Sequence, residues 1–199
     1  MKLSQRVQAL AESATLAVTA KAAAMRAQGL DVLSFGAGEP DFDTPQNVKD
    51  AAVRALAAGQ TKYSKPASGL AEAKAAVCTK LHRENGLSYE PAQVIVTAGG
   101  KMACALAIQA LIDPGDEVII PVPYWVSYPE MVKLAGGRPV LLAGDPDNAF
   151  KFTPEQLAAA ITPQTRMLIF NSPSNPGGFT YTPDEVRAIA EVTAGRDLV

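Results

Sequence analysis

The chain has 199 residues, 48% of them hydrophobic and 19% charged, with a formal net charge of −2. That much apolar material excludes intrinsic disorder, and the near-neutral charge excludes the basic footprint of a nucleic-acid or anionic-membrane binder. No apolar run reaches the roughly 18 residues of a membrane span, and the Met1-Lys2-Leu3-Ser4-Gln5-Arg6 start lacks the unbroken apolar segment of a secretion signal. Two cysteines, Cys78 and Cys104, are too few for a disulfide framework. They read as small buried hydrophobes in a reducing, cytoplasmic compartment.

In chain order, residues 16–28 are Ala-rich and closed by Gly29, which predicts a helix with a glycine cap. The short apolar run 32–35 reads as a strand and leads into the loop 36–43. Thr44-Pro45 is expected to open a helix ending near Gly59, with Thr44 as N-cap and Pro45 as the first helical residue. A further helix is expected from about Gly69 to Asn85, stopped by Gly86. From residue 93 the pattern alternates regularly. Strands are expected at 94–97, 117–121, 139–142 and 166–170, and helices at 101–112 and 127–135. Thr153-Pro154-Glu155-Gln156 and Thr182-Pro183-Asp184-Glu185 both fit capping boxes that start helices. Strands alternating with helices of this length imply an α/β fold, an open and mainly parallel sheet with helices on both faces. Asp197-Leu198-Val199 reads as the first step of another buried strand, so the fold is expected to be incomplete at its C-terminus.

Three segments that follow strands carry the chemistry. Gly99-Gly100-Lys101 lies between a strand and a helix. Bare backbone at a helix N-terminus suits a phosphate, although an ordinary tight turn has the same composition. It is no Walker loop, because Met102 stands where Ser or Thr is needed. Pro123-Tyr124-Trp125-Val126-Ser127-Tyr128 follows a strand's C-terminal end, the edge where open parallel sheets bind ligands. Its Trp125, the sole tryptophan, offers a face for a flat heteroaromatic ring or simply fills the core. Asn171-Ser172-Pro173-Ser174-Asn175-Pro176-Gly177-Gly178 is a shaped loop with side-chain amides to spare. The single histidine, His82, reads as a solvated residue on a helix face, and no metal-ligand spacing surrounds it.

Taken in order with Gly36-Ala37-Gly38-Glu39-Pro40-Asp41-Phe42-Asp43-Thr44-Pro45 and Asp113-Pro114-Gly115-Asp116-Glu117-Val118, these motifs resemble the class I aminotransferases. The aspartate and aspartate/prephenate branch is the most similar. The resemblance runs from about residue 6 to the end. It implies a fold-type-I scaffold carrying pyridoxal 5′-phosphate, a homodimer, and amino-group transfer from an L-amino acid such as aspartate to a 2-oxo acid. It further implies that Gly99, Gly100 and Lys101 form the phosphate cup and that Trp125 stacks on the pyridine ring. Asn175 would bond the 3′-oxygen, and Gly38 would border the substrate carboxylate together with Trp125 and Asn175. Tyr63 is similar to the tyrosine that reaches the neighbouring subunit's phosphate. Residues 1–40 would be an N-terminal segment, helix and short strand, of the small domain or dimer arm, and 41–199 the truncated large cofactor-binding domain. The family's Schiff-base lysine is expected beyond residue 199, so no catalytic residue is expected here and the chain alone is expected to be inactive. The alternative is a catalytically inactive binding or assembly module of the same fold. Gly177 departs from the family, which has Thr or Ser there.

Overall fold

A continuous apolar run, Val118-Ile119-Ile120, builds the central strand of the computed structural model, which describes residues 2–36 and 38–199. Its strands are β1 (Glu117–Val122), β2 (Arg138–Ala143) and β3 (Thr165–Leu168). Its helices are α1 (Gln5–Gln8), α2 (Ala14–Ala27), α3 (Gln46–Ala57), α4 (Ala71–Asn85), α5 (Gly100–Leu111), α6 (Ser127–Ala135), α7 (Pro154–Ala160) and α8 (Pro183–Thr193). The chain divides into two units, residues 1–37 with 104–199, and residues 38–103. Ala37 of the 36–45 motif lies outside the described residues.

In the first unit the three strands are parallel in the order β2-β1-β3, with Ile119 opposite Val140 on one side and Leu168 on the other. A central parallel strand is covered on both faces, which is why β1 runs apolar without alternation. One face packs Val118 and Ile120 with Met167, with Ile108 and Ile112 at the end of α5, and with Met131 and Val132 of α6. The opposite face packs Ile119 with Leu142, Phe152, Leu157 of α7 and Ile189 of α8. Each such buried aliphatic side chain contributes about 1.5–3 kcal/mol. The expected doubly covered sheet is therefore present.

The strands are fastened at their N-terminal ends by one buried carboxylate. Glu117 on β1 pairs with Arg138 on β2 and accepts hydrogen bonds from Thr162 Oγ1 (2.8 Å) and Thr165 Oγ1 (3.3 Å). A buried carboxylate is tolerable only when so satisfied. Beside β3, Val199 donates its N–H to Arg166 O (3.0 Å) and accepts from the Leu168 N–H (2.8 Å), an exchange of the parallel kind. Both expected capping boxes form, at Thr153/Gln156 and at Thr182/Glu185. Ser13 caps α2 through its hydroxyl, and the Ala11 N–H donates to Glu130 Oε2 on α6 (2.9 Å).

The second unit contains α3, α4 and a 3-10 turn at Pro91–Gln93. Four expectations fail in the chain. Helix α3 begins at Gln46, with Pro45 rather than Thr44 in the N-cap place and no side-chain cap bond. Pro45 keeps an extended ψ of 140°, so it stands just outside the helix. Residues 94–97 form no strand: the Val96 N–H donates to Ser68 O (2.8 Å), and one such bond makes no ladder. Residues 32–35 are likewise no strand, with Leu33 81% and Phe35 94% exposed. Cys78 and Cys104 are half-buried thiols rather than fully buried ones.

Candidate active site

Parallel pairing of β1 with β3 sends both following segments out at the same edge of the sheet. Beyond β1 come Pro123, Tyr124 and Trp125; beyond β3 come Asn171 to Gly178. Trp125 is half-buried, with its indole edge-on to the Tyr128 ring at 5.4 Å and 89°. The Tyr128 N–H donates to Trp125 O (3.0 Å) as α6 begins. Burial, with Cys104 nearby, pushes the Tyr128 phenol above its ordinary pKa. The phenol therefore stays protonated through neutral pH.

A small, mostly apolar pocket opens here between Tyr124, Tyr128, Phe170, Asn171, Asn175 and Phe179. The Asn175 N–H donates to Asn171 Oδ1 (3.0 Å), while the residue itself is exposed. The Ser172–Pro173 and Asn175–Pro176 peptide bonds are cis. Behind the loop, Tyr181 accepts the Phe152 N–H on its phenol oxygen (3.1 Å) and rings with Phe152 and Phe170 at 5.4 and 5.0 Å. Burial raises the Tyr181 pKa against the lowering effect of that bond.

In the second unit, Gly99 has φ +86°, a conformation that strains any side chain. Its N–H bonds Thr97 O (2.9 Å), and its own carbonyl accepts from Thr97 Oγ1 (3.0 Å) and from the Ala103 N–H (3.3 Å), the first bond of α5. Beyond the adjacent residues and the backbone of α5 itself, no atom of the described residues lies within 4 Å of where a β-carbon would stand on Gly99 or on Gly100. Bare backbone at the start of a 12-residue helix is a fit for a phosphate group. Lys101, Gly38 and Tyr63 are exposed, Tyr63 at 97%. His82 is exposed on α4 near the Ser88 hydroxyl, as expected of a solvated helix-face residue.

Among the sequence-selected residues, Trp125 and Asn175 thus share one sheet edge, and Gly38, Tyr63, Gly99, Gly100 and Lys101 belong to the other unit. The pocket brings in Tyr128 and Asn171, which lie in the singled-out segments without an assigned role, and adds Phe179, which the sequence pattern did not single out. For Phe179 the available signal was an aromatic directly after two glycines.

Residues 30–199 match the aminotransferase class I and II family, and the chain belongs to it. It is 56% identical over 192 residues to an aspartate aminotransferase of Geobacillus stearothermophilus, covering 96% of this chain and 49% of that one. It is 57% identical over 190 residues to an aspartate/prephenate aminotransferase of Cereibacter sphaeroides, with 96% and 47% covered. Among solved structures, the aspartate aminotransferase of Thermus thermophilus with maleate superposes with a TM-score of 0.95 at 51% identity, covering 100% of this chain and 52% of that one. The chain spans about half the length of these relatives.

Proposed function

We propose that these residues are the cofactor-gripping part of a pyridoxal 5′-phosphate-dependent aminotransferase, which moves an amino group from an L-amino acid such as aspartate to a 2-oxo acid. The observation that carries the proposal is the pair of segments, Pro123 to Trp125 and Asn171 to Gly178, leaving one edge of neighbouring parallel strands. When bound, pyridoxal 5′-phosphate supplies an electron sink for charge developing at the amino acid's α-carbon. The chain's own residues do the holding. Gly99, Gly100 and Lys101 take the phosphate at the start of α5, through backbone N–H groups and the helix dipole. Trp125 stacks on the ring, with Tyr128 bracing its edge. Asn175 donates to the ring oxygen and favours its anionic form. Gly38, with Trp125 and Asn175, borders the substrate carboxylate. Tyr63, exposed on its loop, reaches a second copy's phosphate in a cytoplasmic homodimer. Residues 41–199 are the large domain, and residues 1–40 the N-terminal segment. No lysine of this chain is assigned the covalent role.

The names of the relatives and the match of residues 30–199 support this reading. Titration with pyridoxal 5′-phosphate, followed by quenching of the sole tryptophan, tests it directly. Saturable quenching that inorganic phosphate competes away is the expected result; linear, unsaturable quenching overturns it. A stable lysine adduct at one defined site, trapped with borohydride, would count against the inactive assembly module. Released carbon dioxide in place of an exchanged amino group would identify a decarboxylase instead.

A further inference from the structure

Gly177 and Gly178 look alike in the sequence and differ in the structure. Gly178 has φ +73°, so its own backbone calls for glycine. Gly177 does not have a left-handed φ, and any L-residue could adopt its conformation. What requires glycine there is the neighbouring ring. A β-carbon on Gly177 would stand 2.6 Å from Phe179 Cε1 and 2.7 Å from Phe179 Cδ1, with Ser174 Oγ at 3.4 Å. Such approaches are far inside van der Waals contact, so the ring occupies the volume a side chain would take.

The ring is braced in turn. Phe179 is half-buried and lies 6.2 Å from the Tyr181 ring, and Tyr181 donates its N–H to Ser172 Oγ (3.3 Å). The backbone closes on the same residue. The Ser174 N–H donates to Phe179 O (2.9 Å), and the Gly178 N–H donates to Ser174 O (2.8 Å). Asn175 sits inside this closed turn, tied by its own N–H to Asn171 Oδ1 (3.0 Å). Ring and loop also line the same pocket, with Ser174, Asn175 and Phe179 all on its wall.

We propose that Phe179, seated on the side-chain-free Gly177, is a positioning residue that holds the 171–178 loop in the shape presenting the Asn175 amide. An amide donor is directional, so its value to a ligand depends on the backbone that carries it. The functional consequence rests on the cofactor reading given above; the structural part does not.

Amide hydrogen exchange and pyridoxal 5′-phosphate binding, read by Trp125 quenching, are compared in the unaltered chain, Gly177→Ala, Phe179→Ala and the double variant. Gly177→Ala is expected to speed exchange at Ser174 and Gly178 about tenfold and to weaken binding about tenfold, with the β1 amides unchanged. Phe179→Ala is expected to loosen both by about threefold, since the ring's bracing goes but no clash is created. The double variant should match Phe179→Ala, recovering most of what Gly177→Ala lost. Phe179→Leu, which keeps apolar bulk without the ring, replaces Phe179→Ala if that variant fails to fold. Equal losses from Gly177→Ala with and without the ring overturn the proposal, and so does unchanged exchange in both single variants. If the unaltered chain binds no pyridoxal 5′-phosphate, the cofactor reading falls, and the exchange comparison alone decides whether Phe179 positions the loop.

Discussion

Val118, Ile119, Ile120, Val132 and Leu157 of the first unit have no solvent exposure, whereas Val53, Leu56, Ile95 and Phe42 of the second are 64–86% exposed. Within residues 38–103 the one helical side chain that is buried belongs to Lys74, whose Nζ donates to Ser68 Oγ (2.8 Å). The sheet unit therefore rests on apolar burial on two faces. The helices of the other unit rest on local signals, such as the Glu90/Gln93 capping box and the glycine that ends α4. The lesson is that helical segments need only short-range instructions, while a parallel sheet needs partners distant in sequence.

The sharpest way to break that contrast is to truncate one leucine on each side of it. Leu157→Ala should cost about 2–5 kcal/mol in urea unfolding, through lost transfer energy and a residual cavity. Leu56→Ala, at a position already 65% exposed, should stay within about 0.5 kcal/mol. Similar losses at both positions would show that the second unit has a core after all.

Next in size is the cap of α8. Glu185 accepts the Thr182 N–H (2.7 Å) and pairs with Lys151, which itself stands 5.8 Å from the Tyr181 ring centre. Glu185→Ala should cost about 1 kcal/mol, the usual worth of a cap. The Lys151 bond first, and the Thr182 N–H second, hold the Glu185 carboxyl below its ordinary value of 4.5. A carboxyl depressed in the folded state binds fewer protons folded than unfolded, so it adds stability above the ordinary carboxylate range. That stability is lost as pH falls through the folded value. Glu185→Gln should flatten this part of the acid limb, and an unchanged limb would move the acid sensitivity elsewhere.

Gly99→Ala tests the second unit's own strained position. At φ +86° it should lose about 1 kcal/mol, and phosphate competition in the quenching assay should weaken with it. The smallest effect is expected at Thr44. Because α3 has no side-chain cap bond, Thr44→Ala should change stability by less than about 0.5 kcal/mol, while Thr182→Ala, which removes a real cap, costs about 1 kcal/mol. Circular dichroism melts of the pair read the difference.

Much was written in the chain itself. Apolar runs bounded by turn residues located β1, β2 and β3; the two Thr-Pro-acidic stretches located α7 and α8; and glycine marked where α4 and α6 stop. These are local properties, in which each residue acts on neighbours three or four positions away. The strand expected at 94–97 failed for the complementary reason. An apolar, β-branched stretch becomes a strand only when a second backbone offers it a ladder, and Val96 found one bond, to Ser68. Thr44-Pro45 had the composition of a cap, yet the ψ of Pro45 put the helix start one residue later.

The candidate site divides the same way. Trp125, Asn175 and the Gly99-Gly100 turn were readable because each lies in a short segment of turn residues between regular elements. Only the folded chain could decide that the strand order is β2-β1-β3, which brings Pro123–Trp125 and the 171–178 loop to one edge. Only the folded chain could seat the Phe179 ring in the space beside Gly177. Composition and spacing act along the backbone, but register and contact are settled by which distant atoms exclude one another, and that is a property of the packed structure.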